Sequence, residues 1–128
     1  MKLLLDTHVV FWALIAVQKL SPTARIAIAD SGNDVAVSLA SLWEMAIKVG
    51  SGKWPEVADL VADFEAQMAK THFAILPITI EHARRAGLMS TPHRDPFDRL
   101  LAAQAITEGL TLVTSDAKVA ALGAPWLW

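Results

Sequence analysis

The hydrophobic positions of this chain form two kinds of segment that alternate along its length. Short apolar runs of three to five residues are separated by longer stretches in which apolar residues recur every three or four positions. The short runs are typical of strands buried on both faces, and the longer stretches are typical of amphipathic helices. Five segments are predicted to be strands, the last of them at a sheet edge: Lys2–Leu5, Val35–Val37, Ala74–Ile78, Thr111–Thr114 and Pro125–Trp128.

At least one predicted helix lies between each pair of consecutive strands. This alternation predicts an α/β fold, a three-layer sandwich in which helices flank a central, mostly parallel sheet of four or five strands. The length of 128 residues indicates that residues 1–128 form a single domain. The predicted helices are Thr7–Leu14, Pro22–Ala29, Leu39–Val49, Glu56–Lys70, Ile80–Leu88, Pro96–Glu108 and Lys118–Leu122.

Composition and charge exclude several classes of site. The chain has no cysteine, which excludes disulfides, thiolate catalysis and the usual cysteine-ligated metal sites. Its formal net charge of −2 gives no overall attraction for phosphate, so a nucleic-acid site would depend on local charges or bound cations. No apolar run approaches the roughly 20 residues of a membrane span. Because Asp6 and His8 also interrupt the apolar start that a signal peptide needs, we expect a cytoplasmic protein.

Two aspartates follow predicted strands directly. Asp6 comes immediately after the first strand, and Asp116 lies two residues beyond the fourth. The carboxyl ends of parallel strands meet at one edge of a sheet, where open α/β sheets bind their ligands. Each aspartate is equally suited to cap the helix that follows it. The position alone leaves both interpretations open.

Three further acids lie on predicted helices. Asp95 precedes Pro96 as a helix cap, and Asp98 shares a helix face with apolar residues, so its carboxylate is predicted to point inward and to need a partner. Glu44 lies four residues before Lys48, a spacing that is typical of an ion pair on an exposed helix surface. Spacing alone therefore assigns Glu44 no function.

Four motifs occur along the chain in a recognisable order. They are Leu4-Leu5-Asp6-Thr7-His8, Ser41-Leu42-Trp43-Glu44, the block His93–Ala105 that contains Asp95-Pro96-Phe97-Asp98-Arg99, and Thr111–Asp116. Together they resemble the PIN domain of the bacterial VapC toxins. The Asp-Pro-Phe-Asp-Arg block is the most specific of the four.

The resemblance implies a metal-dependent endoribonuclease that acts as the toxin of a toxin–antitoxin pair. It implies an RNA substrate, a small antitoxin protein as partner, and a homodimer. The metal would be Mg²⁺ or Mn²⁺, because oxygen ligands suit hard cations and converging carboxylates repel one another by roughly 4 kcal/mol at 4 Å. By resemblance the ligands are Asp6, Glu44, Asp98 and Asp116, with Asp95 as an auxiliary acid.

Neighbouring side chains have two possible roles each. The hydroxyls of Thr7, Thr114 and Ser115 could orient water in the site or cap the adjacent helices. Lys48 and Arg99 could bind a substrate phosphate, or could pair only with Glu44 and Asp98.

Two other functions fit the acidic residues. An acidic α/β phosphatase-like enzyme also carries an aspartate after its first strand, but it would need Asp-x-Asp, and position 8 is histidine. A noncatalytic PIN-like protein-binding module would use the acids only as helix caps.

The apolar content also predicts a contact surface. Apolar residues make up 54% of the chain, and it has five tryptophans. Contiguous exposed aromatics mark protein contacts. The residues proposed for this contact surface are Trp12, Leu14, Ile15, Trp54, Trp126 and Trp128.

Overall fold

A five-stranded, wholly parallel sheet forms the centre of the computed structural model, which describes residues 1–128. The strands are β1 (Lys2–Leu5), β2 (Asp34–Ser38), β3 (Ala74–Leu76), β4 (Thr111–Val113) and β5 (Trp126–Leu127). Their order across the sheet is β3-β2-β1-β4-β5. The predicted α/β fold is confirmed. The third strand is shorter than predicted because it stops before Pro77, which has no N–H to donate to the ladder.

Eight helices flank the sheet, and polar caps fix where most of them begin. The caps whose side chains accept backbone N–H groups are Asp6, Ser21, Ser38, Thr79, Asp95 and Asp116. No helix has both the length and the apolar character that a bilayer crossing requires. The helices are α1 (Thr7–Ile15), α2 (Pro22–Ala29), α3 (Leu39–Gly50), α4 (Ala58–Ala62), α5 (Phe64–Thr71), α6 (Ile80–Leu88), α7 (Pro96–Glu108) and α8 (Ala117–Ala120).

The predicted helix Glu56–Lys70 is wrong as a single element. It consists of a 3₁₀ turn at Pro55–Val57 followed by α4 and α5, which are separated at Asp63. The backbone of Asp63 leaves the helical region at φ −108° and ψ 29°. No proline or glycine marks this break. It accompanies the burial of Leu60, Phe64 and Met68 in the core, so tertiary packing decides it.

Both faces of the sheet are buried, and β1 lies at its centre. Leu3 and Leu5 pack on one face and Leu4 on the other, and all three are fully buried. Burial contributes about 1.5–3 kcal/mol for each such side chain. From β1 the chain extends the sheet first through β2 and β3, and later through β4 and β5 on the other side. This reversal opens a crevice at the carboxyl ends of β1 and β4.

Candidate active site

A cavity of about 350 Å³ opens at this crevice, and its lining is acidic. Five carboxylates reach it from four parts of the fold: the end of β1, helix α3, the start of α7 and the loop after β4. Larger cavities occur elsewhere, but no comparable cluster of acids lines them. The lining residues are Asp6, His8, Trp12, Glu44, Lys48, Asp95, Asp98, Ser115 and Asp116.

Asp6 is fixed at the floor of the cavity. Its Oδ1 accepts the backbone N–H of Thr7 at 2.7 Å, which caps α1, and its Oδ2 accepts the hydroxyl of Thr114 at 2.7 Å. Burial raises the pKa of Asp6, and the bonds from Thr114 and Thr7 oppose that rise. The structure thus combines both interpretations of Asp6, because it caps a helix and also lines the cavity.

Thr114 links two of the acids. Its hydroxyl donates to Asp6 and accepts the backbone N–H of Asp116 at 3.1 Å. The carboxylate of Asp116 caps α8 through the N–H of Lys118 at 2.8 Å and is exposed. The role of Thr114 is therefore to orient Asp6, and of the three predicted hydroxyls only that of Ser115 belongs to a residue lining the cavity.

Asp98 is the second acid, after Asp6, whose pKa is raised above its ordinary value. Its Oδ2 lies 2.8 Å from Nε2 of His93 in the loop before α7. Burial raises the pKa of Asp98 to about 6, the bond from His93 opposes the rise, and the nearby carboxylates of Asp95, Asp6 and Glu44 add to it. The carboxylates that add to this rise line the same cavity as Asp98.

Glu44 is buried on α3 and faces the same cavity. Its Oε2 lies 3.0 Å from Nζ of Lys48, so the pair predicted for an exposed surface occurs inside the site. One turn earlier on α3, Ser41 bonds the buried hydroxyl of Thr7 at 3.0 Å. The hydroxyl of Thr7 joins α1 to α3 and does not line the cavity, so its role in orienting water stays a prediction.

Asp95 and Arg99 lie close to Asp98 in the sequence but differ in their position relative to the cavity. Asp95 lines the cavity and caps α7 through the N–H groups of Phe97 and Asp98 at 2.9 and 3.2 Å. Arg99 does not line the cavity and does not pair with Asp98. Its guanidinium donates to backbone carbonyls of the preceding segment, including those of Ala86, Met89 and His93. A contact of Arg99 with a substrate phosphate stays a prediction, which its position outside the cavity lining does not support.

The carboxylate oxygens of the site are only partly arranged to bind a cation. No three carboxylate or imidazole groups are positioned to hold one metal ion, and the acids instead bond to Thr114, His93, Lys48 and backbone N–H groups. The donor set itself, carboxylates without thiolates, fits a hard divalent cation. Such an ion would exchange with these protein partners.

Sequence reasoning missed the residues that surround the acids. His93 bonds Asp98, and His8 lines the cavity beside Trp12, although the sequence assigned neither histidine a role. The available signal was proximity along the chain, because His93 precedes Asp98 by five residues and His8 follows Asp6 by two. Proximity in the sequence alone does not show whether a histidine bonds an acid or only lies near it.

The predicted contact surface is only partly exposed. Trp12, Trp54 and Trp128 are half-buried, and the rings of Trp12 and Trp128 pack with centroids 5.7 Å apart. The exposed tryptophans are Trp126, as predicted, and Trp43, which was not in the predicted set. Trp43 lies on the same face of α3 as Leu39 and Ile47, which are also exposed.

Comparisons with known proteins agree with this geometry. The family model of the PIN domain matches residues 3–125. Ribonuclease VapC22 of Mycobacterium tuberculosis is 35% identical over 127 aligned positions, which cover 91% of this chain and 88% of the relative. The toxin–antitoxin member VapBC-5 of the same organism has a TM-score of 0.59 at 22% identity, covering 98% of this chain and 95% of that chain.

Two further solved structures share the fold. VapBC2 from Rickettsia felis, bound to a DNA fragment from its promoter, has a TM-score of 0.70 at 18% identity and covers 99% of this chain and 98% of its own. FitAcB from Neisseria gonorrhoeae has a TM-score of 0.64 at 21% identity, with 98% and 96% covered.

Proposed function

This chain belongs to the PIN domain family, among the relatives of the VapC ribonucleases, and on that premise we propose that it is a metal-dependent endoribonuclease and the toxin of a toxin–antitoxin pair. One observation carries the proposal. Five carboxylates from four separate segments of the chain converge in a single cavity at the carboxyl ends of β1 and β4. Helix capping alone does not require them to share that cavity.

We propose Asp6, Glu44, Asp98 and Asp116 as the residues that would hold Mg²⁺ or Mn²⁺, with Asp95 adding negative charge. A bound divalent ion supplies Lewis acidity towards phosphate and lowers the pKa of water. The residues of the chain orient these groups. Thr114 fixes Asp6, His93 fixes Asp98, and Lys48 positions Glu44.

Lys48 and Ser115 are the proposed contacts for the substrate phosphate. Both line the cavity among the acids. The side chain of Lys48 is 35% exposed, so its ammonium group can contact a phosphate while it stays near Glu44. The hydroxyl of Ser115 can donate to a phosphate oxygen.

Cleavage of RNA by the purified protein tests this function. We expect single-stranded RNA to be cleaved with Mg²⁺ or Mn²⁺ and to remain intact with a chelator. Asp98→Asn is expected to lower turnover by about 100-fold or more, because it removes one negative ligand from the ion. Asp59→Asn is the matched control, since Asp59 is exposed and lies outside the cavity. Chelator-insensitive cleavage, or full activity of Asp98→Asn, would contradict the proposal.

We also propose a small antitoxin protein as the partner. The related solved structures VapBC2 and VapBC-5 carry both partners in their names. A cationic side chain of the antitoxin is the group best suited to enter a cavity lined by five carboxylates. Expression of the chain alone is expected to arrest bacterial growth, whereas expression of Asp98→Asn is not.

The homodimer proposal now rests on α3. Leu39, Trp43 and Ile47 recur every four residues on one exposed helix face, and Trp43 is 58% exposed. Trp43 meets Phe97 edge-on at 5.2 Å within the chain, and the part of this apolar stripe that stays exposed favours a twofold contact between two copies. We expect light scattering at micromolar concentration to show a dimer and Trp43→Glu to show a monomer. A monomeric wild-type protein would refute this contact.

A further inference from the structure

One wall of the acidic cavity is aromatic. His8 and Trp12, one turn apart on α1, line it together with the five carboxylates. The ring of His8 is exposed to solvent, and that of Trp12 is half-buried. Their centroids are 6.0 Å apart. The cavity therefore has an acidic side and a ring-bearing side.

The rings of this wall are supported from behind. His8 stacks on Trp54 with centroids 4.8 Å apart and planes inclined by 26°, and Phe11 meets Trp54 edge-on at 5.5 Å. Trp12 packs against Trp128 at 5.7 Å. Because the rings are already held in place, a ligand that stacks on them loses little side-chain entropy.

A cation connects the two sides. Nζ of Lys48 lies 3.0 Å from Oε2 of Glu44 and 5.5 Å from the ring centroid of Trp54. A phosphate that approaches Lys48 therefore lies next to both the acids and the rings. In a nucleotide the phosphate and the base are linked through one ribose, so a base can contact the rings while its phosphate is near the acids.

The charge of the protein favours a contact that does not depend on phosphate. The chain has a net charge of −2, and the cavity itself is acidic, so the phosphate backbone of RNA gains little general attraction. Base stacking is independent of charge and accepts any base. Proteins that bind single-stranded RNA use aromatic and histidine rings for it.

We propose that the ring of His8, next to Trp12 and supported by Trp54, stacks on an unpaired base of the RNA strand beside the phosphodiester that is cleaved. This inference rests on the proposed ribonuclease function and adds its recognition element. It assigns His8 to substrate binding, so that double-stranded RNA, whose bases are already stacked, is a poor ligand of this wall.

Steady-state kinetics and direct binding test the proposal. The binding probe is a fluorescently labelled, single-stranded 12-nucleotide RNA of random sequence, titrated onto Asp98→Asn protein to prevent cleavage. We expect His8→Ala to raise KM and Kd about tenfold, in line with the loss of one stacked base, and to change kcat little. His8→Phe keeps a ring and is expected to recover most of the lost affinity.

Trp126→Ala is the matched control, because Trp126 is an exposed tryptophan that does not line the cavity. We expect it to leave KM and Kd unchanged, and all variants to keep the circular dichroism spectrum of the wild type. Unchanged KM and Kd in His8→Ala would overturn the proposal, as would a failure of His8→Phe to recover affinity. If the protein cleaves RNA and His8→Ala does not change KM or Kd, the stacking proposal fails and the ribonuclease function stands. If RNA binding depends on His8 but no RNA is cleaved, the ribonuclease function fails and the stacking proposal stands. If there is neither cleavage nor binding that depends on His8, both proposals fail.

Discussion

Asp98 is subject to opposing effects on its protonation. Burial and three neighbouring carboxylates favour the neutral form, while His93 favours the charged form through a 2.8 Å hydrogen bond. The net result is a pKa of about 6, compared with an ordinary value of 3.8. A divalent cation would reverse this balance, since it removes the repulsion between the acids. The ionisation of Asp98 therefore responds first to its burial and then to the charge of the neighbouring acids.

The first prediction concerns the stability of the metal-free protein. Between about pH 4 and pH 6 the folded state holds a proton on Asp98 that the unfolded state has released, so the free energy of unfolding falls as the pH rises through this window. The fall is on the order of 3 kcal/mol. Asp98→Asn is expected to flatten this dependence and to be more stable than the wild type at pH 7. Urea unfolding at several pH values, with a chelator present, measures the free energy of unfolding of the two proteins. The same pH dependence in the wild type and in Asp98→Asn would contradict the prediction.

His82 is the second residue on which stability depends. It is fully buried, its Nδ1 accepts the N–H of Thr79 at 3.0 Å, and its Nε2 lies 2.8 Å from Oε1 of Glu108. Since Nδ1 accepts a hydrogen bond, the proton of the ring is on Nε2 and is donated to Glu108. His82 thus closes the capping box of α6 and joins α6 to α7.

The second prediction is that His82→Ala destabilises the protein by about 2–4 kcal/mol, because it leaves a cavity and an unpaired backbone N–H. Thermal or urea unfolding measures the loss. Glu108→Gln keeps an acceptor for Nε2 and is expected to cost less than about 1 kcal/mol. An equal loss in the two variants would show that the ring itself contributes little.

At the scale of elements, local chemistry predicted most boundaries. Pro22 and Pro96 open their helices and Ser21 and Asp95 cap them, so α2 and α7 begin where the sequence indicated. The break at Asp63 was not predictable, because packing in the core rather than a local signal interrupts that helix. The partners of Arg99 were equally hidden, since they depend on the path of the loop between α6 and α7.

The third prediction concerns this loop. Arg99 donates to four backbone carbonyls between Ala86 and His93, at 2.6 to 3.3 Å. Arg99→Met keeps the aliphatic stem and removes these bonds, so we expect a loss of about 2–4 kcal/mol and faster hydrogen exchange at residues 89–95. Arg94→Met is the control, because Arg94 is an exposed arginine in the same segment. Similar exchange in the two variants would contradict the role of Arg99.

At the scale of the whole molecule, the hydrophobic pattern predicted the α/β class but not the strand order. The runs in the sequence indicate five strands, whereas the adjacency of β1 and β4 depends on crossovers that no local pattern encodes. That adjacency brings Asp6 beside Thr114 and Asp116. The convergence of the acids was available only from the family resemblance and from the general rule on strand ends.

The fourth prediction is that divalent ions stabilise the protein as a whole. At a concentration of Mg²⁺ or Mn²⁺ 100 times its Kd, binding to the folded state alone contributes about 2.7 kcal/mol. For a chain of this size, this corresponds to a rise in Tm of about 10 °C. Asp98→Asn is expected to lose the effect, and Asp59→Asn is expected to keep it. Differential scanning fluorimetry with and without chelator makes the comparison, and a rise that persists in Asp98→Asn would place the ion elsewhere.

The hydrogen bond from Thr114 to Asp6 joins residues 108 positions apart, and this has a consequence during translation. A ribosome working at about 5–20 residues per second needs roughly 5 to 20 s to pass from one to the other. A nascent chain that ends at Gly109 already carries Asp6, Glu44 and Asp98, but it lacks the strand that flanks β1 on one side. We expect RNA to stay intact when such truncated chains are synthesised in vitro. Incomplete copies of the chain would therefore lack the activity of the finished protein.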